Sequence, residues 1–353
     1  MAYTTINKPS QYFGINAYAG QGGSRNITDV TNVEFTPDFV WVKHRQDAST
    51  NHALFDVLRG VGKFLESNTT TAEQTESQSI TAFVNGGFSV GTQPNTPRTD
   101  ESGGTPNHVA WQWKANGAGV ANTAGTISST VSANTTSGFS IVSYTGTGAN
   151  ATVGHGLGAA PKMIIVKNRS VGGTDWRVGH QSLTWNNEIF LDLTNATNAS
   201  SGAWNNTAPT SSVFSLGSGN YGNGSGNSII AYCFAEVKGF SKFSSYTGNS
   251  STNGTFVYTG FKPAFVMLKV SNLAGENWVL MDNKRNTYNV VNGRLFPNLS
   301  NAESTAANIL DFTSNGFKLR NADSSVNTGY TYIYMAFAEN PFVTSTQIPT
   351  TAR

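Results

Sequence analysis

Two Asp-x-x-Arg pairs, Asp56 with Arg59 and Asp282 with Arg285, bring together the residue types in this chain that come nearest to working chemistry. A carboxylate three residues ahead of a guanidinium can pair with it across a turn, in a geometry that makes a good fastener. General acid–base catalysis asks for a further partner with a tuned pKa. The five histidines (His44, His52, His108, His155 and His180) are scattered, so the pairs read as structural and no catalytic residue is assigned. No Cys-x-x-Cys, His-x-x-x-His or Asp-x-Asp-x-Asp-Gly pattern occurs, so no metal ligands and no cofactor are expected, a calcium held by loop carbonyls being left open. Gly217-Ser-Gly219-Asn-Tyr-Gly222 has dinucleotide-loop spacing, but Asn-Gly-Ser-Gly follows where a helix must start, so it reads as a flexible turn. Trp185 and Trp204, near Tyr221 and set among Asn and Thr, are the candidates for glycan contact by ring stacking and hydrogen bonds.

The elements that hold these residues are written three times. A proline, an apolar run and a lysine recur as Pro37 to Lys43, Pro161 to Lys167 and Pro263 to Lys269. A Tyr-x-Gly precedes each (Tyr18, Tyr144, Tyr246), and each copy closes on an aromatic strand ending at Trp113, Phe234 or Phe337. Constant long periods mean duplicated units, here of ordinary small-domain size. Aligned on the prolines, His52, Trp176 and Trp278 coincide, as do Asp56, His180 and Asp282, and then Arg59, Leu183 and Arg285. Short apolar runs bounded by Gly, Asn, Ser and Pro, without long 3.6-residue stripes, predict an all-β chain of three tandem β-sandwich domains, jelly-roll or lectin-like. The expected division is an N-terminal arm (1–11), repeat 1 (12–114), a Gly/Ala/Ser/Thr/Asn linker (115–137), repeat 2 (138–238), repeat 3 (239–342) and a C-terminal tail (343–353). The arms are expected to be disordered or laid across a neighbouring subunit. A turn or two of helix is expected near Asn68 to Gln78.

Only 12% of the 353 residues are charged, the formal net charge is +2, and no Lys/Arg run occurs. Clustered cations are what phosphate backbones need, so nucleic acid is demoted as a partner. No signal peptide or membrane-length apolar run is evident, which predicts a soluble chain without membrane insertion. The many Asn-x-Ser/Thr triplets read as a by-product of composition, and Cys233 as a buried small hydrophobe.

Tyr18-Ala-Gly, Thr36 to Lys43, His52 to Gly60, Leu65 to Thr70 and Gly87-Phe-Ser-Val resemble virion structural proteins of tailed bacteriophages, particularly those of marine bacteria and cyanobacteria. Gly154 to Gly158, Pro161 to Arg169 and Ala336 to Pro341 extend the resemblance over nearly the whole chain. It implies a non-enzymatic virion protein assembled in the host cytoplasm, placed on the tail or its fibres, in host attachment or particle assembly. Partners would be other virion proteins, a homo-oligomer (a trimer in a fibre) and a host surface glycan. A capsid decoration or head-fibre protein and a carbohydrate-binding lectin are the alternatives.

Overall fold

A computed structural model describes residues 3–92, 99–102 and 107–350. The fold is all-β. Each copy contributes four strands to a main antiparallel sheet: Phe13–Tyr18 (β1), Phe39–His44 (β2), Ala53–Asp56 (β3) and His108–Trp113 (β4) in the first; Phe139–Thr145 (β5), Met163–Asn168 (β6), Arg177–His180 (β7) and Ser228–Phe234 (β8) in the middle; Ser241–Thr247 (β9), Phe261–Val270 (β10), Val279–Asp282 (β11) and Thr331–Pro341 (β12) in the third. The strand order is the same each time: β1-β4-β2-β3, β5-β8-β6-β7 and β9-β12-β10-β11. A small sheet of two or three strands covers the outer face of each, built around Gly87–Val90, Val213–Leu216 and Gly316–Leu319.

The proline-led strands are buried on both faces, which explains their unbroken apolar run. Side chains alternate between two cores, as the period of two requires. Val40 and Val42, Ile164 and Val166, and Val266 and Leu268 face their own unit's core. Phe39 and Trp41, Met163 and Ile165, and Phe265 and Met267 face one core common to all three units. At its middle Trp113 meets Phe13 and Phe39 of its own unit, Phe139 and Phe234 of the middle one, and Phe265 and Phe337 of the third, at ring-centroid distances from 5.0 to 6.5 Å. The three units therefore cluster about a shared aromatic centre.

The Tyr-x-Gly signature acquires a reason here. The tyrosine hydroxyls donate to carbonyls of the segment that leads into the closing strand: Tyr18 to Thr99 (2.6 Å), Tyr144 to Gly222 (2.7 Å) and Tyr246 to Val326 (2.6 Å). That segment passes so close to Gly20, Gly146 and Gly248 that a Cβ would lie 1.8–2.3 Å from a backbone oxygen.

Several expectations need correction. Residues 115–137 are no free linker. Val120–Asn122 and Ser129–Asn134 extend the middle sheet beyond β5, burying Val131, while Asp38 accepts from the backbone N–H groups of Ala115 (2.7 Å) and Gly117 (3.1 Å). Small polar residues can alternate as a strand does, and here that period outweighed the linker-like composition. Residues 68–78 form no helix; the chain is extended there because Asn68 and Glu73 are committed to neighbouring segments. The described parts of both arms lie on the chain's own units and on each other: Tyr3 donates to the Gly260 carbonyl (2.6 Å), Ile6 enters the common core, Ser10 donates to Glu34 (2.6 Å), and Asn7 of one arm bonds Ser345 of the other (2.7 Å). Residues 1–2 and 351–353 of those arms lie outside the described residues. Pro37 and Pro161 stand two residues ahead of their strands, while Pro263 sits inside β10 at a bulge. Gly217 to Gly222 holds one helical turn, Asn220–Asn223, and its glycines give room for the Gly202 backbone.

Candidate functional site

The residues with chemical potential collect at the three junctions between units, where they form a closed ring. At the first–middle junction, Asp56 Oδ2 accepts from the Tyr232 hydroxyl of β8 (2.8 Å), and Arg59 donates to the same hydroxyl (3.2 Å). At the third–first junction, Asp282 Oδ2 accepts from Trp111 Nε1 of β4 (3.0 Å) and from Arg285 Nε (2.6 Å). Both aspartates also accept two backbone N–H groups of the turn that follows, which is why the Asp-x-x-Arg spacing recurs. Burial alone would raise the Asp282 carboxyl, but the Arg285 charge and its hydrogen bonds hold it below the ordinary carboxylate range.

The middle–third junction uses another solution. His180 Nδ1 accepts from the Ser182 N–H (3.2 Å), so Nε2 donates, to the Tyr334 carbonyl of β12 (3.2 Å). Burial pushes this imidazole down to about 4, which keeps it neutral. In the closing strands, the position held by Trp111 and Tyr232 is Met335 in the third unit. Methionine offers no N–H or O–H to a carboxylate, and the unit facing it carries His180 and Leu183 in place of the Asp–Arg pair.

The remaining ring contacts follow the same rotation. Trp176 Nε1 donates to the Glu66 carbonyl and Trp278 Nε1 to the Phe190 carbonyl, each at 2.8 Å. His52 is turned toward the backbone of Phe296, the equivalent residue of the third unit, outside ordinary hydrogen-bond geometry. Glu73 forms a two-pronged pair with Arg169 (2.8 and 2.9 Å), and Glu303 with Arg45 (2.6 and 3.1 Å). Their backbone N–H groups bond the Arg169 and Arg45 carbonyls, and Thr197 bonds Ser271 likewise (2.7 Å) in the third such contact. Fork-shaped Arg–carboxylate pairing adds geometric specificity to such a seam.

One pair differs inside the middle unit. Asn68 donates to Asn51 (2.6 Å) and Asn298 to Asn277 (2.7 Å), whereas the equivalent residues of the middle copy are Asp192 and Asp175. Asp192 Oδ1 accepts from the Trp176 N–H (3.0 Å), while its buried Oδ2 has no hydrogen-bond partner among the described residues. Burial first, and the Asp175 charge second, push Asp192 up to about 7.

The repeat lysines are wholly buried and serve the strand ends. Lys43 Nζ donates to the carbonyls of His44 (2.6 Å) and Asp47 (3.2 Å), Lys167 to Thr174, and Lys269 to Val270 (2.9 Å). Burial lowers each to about 8. Pro37 and Pro161 precede the same strands, and Pro263 marks the bulge within β10. Cys233 is buried in the middle core, and burial pushes its thiol up.

The proposed glycan contacts are corrected. Trp204 is fully buried and Trp185 nearly so; they meet edge to face at 5.5 Å in the middle unit's core, closing on Gly179, where a Cβ would lie 2.5–2.8 Å from both rings. Tyr221 lies under the Arg177 guanidinium (5.0 Å) and against Phe190 (5.9 Å). Their Asn/Thr-rich surroundings in sequence concealed the glycine that makes room for them. The ring partners Trp111, Tyr232 and Met335 were overlooked, although comparing the three closing strands position by position exposes them.

A family model described as a domain of unknown function, DUF7483, matches residues 8–341, from the first turn to the end of β12. The chain belongs to the DUF7483 family. The match takes in all three junctions, so the ring lies wholly within the DUF7483 region. No curated protein and no solved structure matches the chain.

Proposed function

We propose that this chain is a non-enzymatic structural protein of a tailed-bacteriophage particle, a tail or tail-fibre component that serves host attachment or joins particle parts. The observation that carries this reading is the closed junction ring. The Asp–Arg pairs and His180, the groups best suited to acid–base chemistry, are buried between units and spend their hydrogen bonds on holding the units together. A module closed on itself through three buried junctions, with only 12% of its residues charged, suits a particle part, and the resemblance in sequence to virion proteins points the same way. Association with other particle proteins, and trimerisation if the chain stands in a fibre, belong to this reading.

Cryo-electron microscopy of the particle, counting copies of the chain, tests it. A few to tens of copies on the tail are the expected result. Hundreds of copies following the head lattice would make it a decoration protein, and its absence from particles would overturn the proposal. Sedimentation of the purified chain reads the oligomeric state.

A further inference from the structure

The third unit carries a cleft that the junction ring does not use. It has a volume of about 810 Å³ and lies between the loop 283–289, the strand Leu310–Thr313 and the C-terminal segment reaching Thr350. Two oxygens on its lining are buried without a hydrogen-bond partner among the described residues, Asn283 Oδ1 and Asp311 Oδ1, on residues that are themselves 9% exposed. Such acceptors are costly until a donor reaches them. Other charges of the lining are balanced: Lys262 pairs with Glu339 (2.8 Å), and Asp311 Oδ2 accepts from Arg320 (2.6 Å). Lys284 makes no ion pair among the described residues.

Above these groups stands Tyr288, 85% exposed, on a loop that is firmly tied down. Asn289 exchanges two hydrogen bonds with the Phe312 backbone (2.8 and 2.9 Å), and the Val291 N–H bonds the Leu310 carbonyl (2.8 Å). The aromatic ring is thus held out to solvent beside a polar cleft by a braced loop.

We infer that this cleft is a binding site for an acidic saccharide. The C–H face of a pyranose ring covers Tyr288, a carboxylate such as that of a uronic acid meets Lys284, and sugar hydroxyls supply donors to Asn283 and Asp311 as these side chains turn toward the cleft. One flat apolar surface beside a few placed polar groups is the ordinary anatomy of a small-ligand site. The inference stands apart from the particle proposal, since it concerns the isolated chain and is read by binding alone.

The test is a microarray of neutral and acidic bacterial glycans probed with the full chain, followed by calorimetric titration of the strongest hit. Binding confined to glycans bearing a carboxylate is expected, weakened at least about tenfold by Tyr288→Ala and by Lys284→Gln, with the melting temperature of both variants unchanged. Retention of no glycan would overturn the inference. So would equal binding of neutral glycans, or variants that bind as the unmodified chain does. Copy number on particles is unaffected by any of these outcomes.

Discussion

At the first–middle and third–first junctions a buried Asp–Arg pair meets a tyrosine hydroxyl or a tryptophan N–H; at the middle–third junction a neutral histidine meets a backbone carbonyl beside Met335. The difference shows how a buried ion depends on what faces it. A carboxylate taken out of water must have its lone pairs filled, and breaking a buried pair leaves an uncompensated charge. Where the facing strand offers a donor, the pair is kept. Where it offers a thioether, an imidazole with one donor and one acceptor balances its hydrogen bonds without any charge, and Leu183 joins the common core in place of an arginine.

The sharpest way to break this comparison is to remove one ion. Asp282→Ala leaves the buried Arg285 guanidinium with Glu303 (3.1 Å) as its remaining carboxylate and should cost about 3 kcal/mol, the lower end for a broken buried pair, against about 1–2 kcal/mol for His180→Ala, which removes a donor from a carbonyl. Calorimetric melting of both variants checks this, and equal losses would mean that the ionic and neutral junctions are not different in kind.

His180→Asp alone should cost nearly as much as Asp282→Ala, because its carboxylate would face Met335. Adding Leu183→Arg and Met335→Tyr rebuilds the first–middle arrangement and should recover at least about 2 kcal/mol of that loss. A triple variant no more stable than His180→Asp would show that the facing residue does not decide the junction.

The Asp175–Asp192 pair gives a pH signature to the middle unit. Because the folded state raises Asp192 to about 7, it binds this proton more tightly than the unfolded chain, and stability falls as pH rises from about 4 to about 7. Asp192→Asn restores the amide seen in the other two copies. It should leave stability unchanged below pH 4 and raise it by on the order of 4 kcal/mol above pH 7. Melting curves at pH 3.5 and pH 8 read the difference; equal gains at both would remove the proton from the account. His180 works in the opposite sense: its lowered pKa stabilises the fold above about 6.5, and that contribution is lost as pH falls toward 4.

The smallest effect distinguishes two tryptophans of β4. Trp111 donates to Asp282, whereas the buried Nε1 of Trp113 has no hydrogen-bond partner among the described residues. Trp111→Phe should therefore destabilise by about 1 kcal/mol more than Trp113→Phe, as chemical denaturation would show.

Much of the fold was legible because local rules and global demands agree. The period-two pattern marked the strands, and the threefold wording aligned Trp176 with Trp278 and Asp56 with Asp282. The candidate site was less legible. Reading Asp56–Arg59 and Asp282–Arg285 as fasteners needed only their spacing, but which strand they fasten to depends on contacts between residues more than a hundred positions apart. Trp185 and Trp204 were misplaced for a related reason: exposure is set by neighbours such as Gly179, not by the polarity of the flanking sequence. Tyr288, which does reach solvent, has no distinguishing pattern around it.

By itself the sequence determined that the chain is β throughout and which of its segments correspond, because those features follow from side-chain periodicity and turn chemistry. Tertiary structure alone decided that the three units share one aromatic core, that the two Asp–Arg pairs and the neutral His180 close a ring, and that Val120–Asn122 and Ser129–Asn134 pair as strands. Those outcomes rest on burial and on donor–acceptor matching across the chain, and neither quantity exists until the units meet.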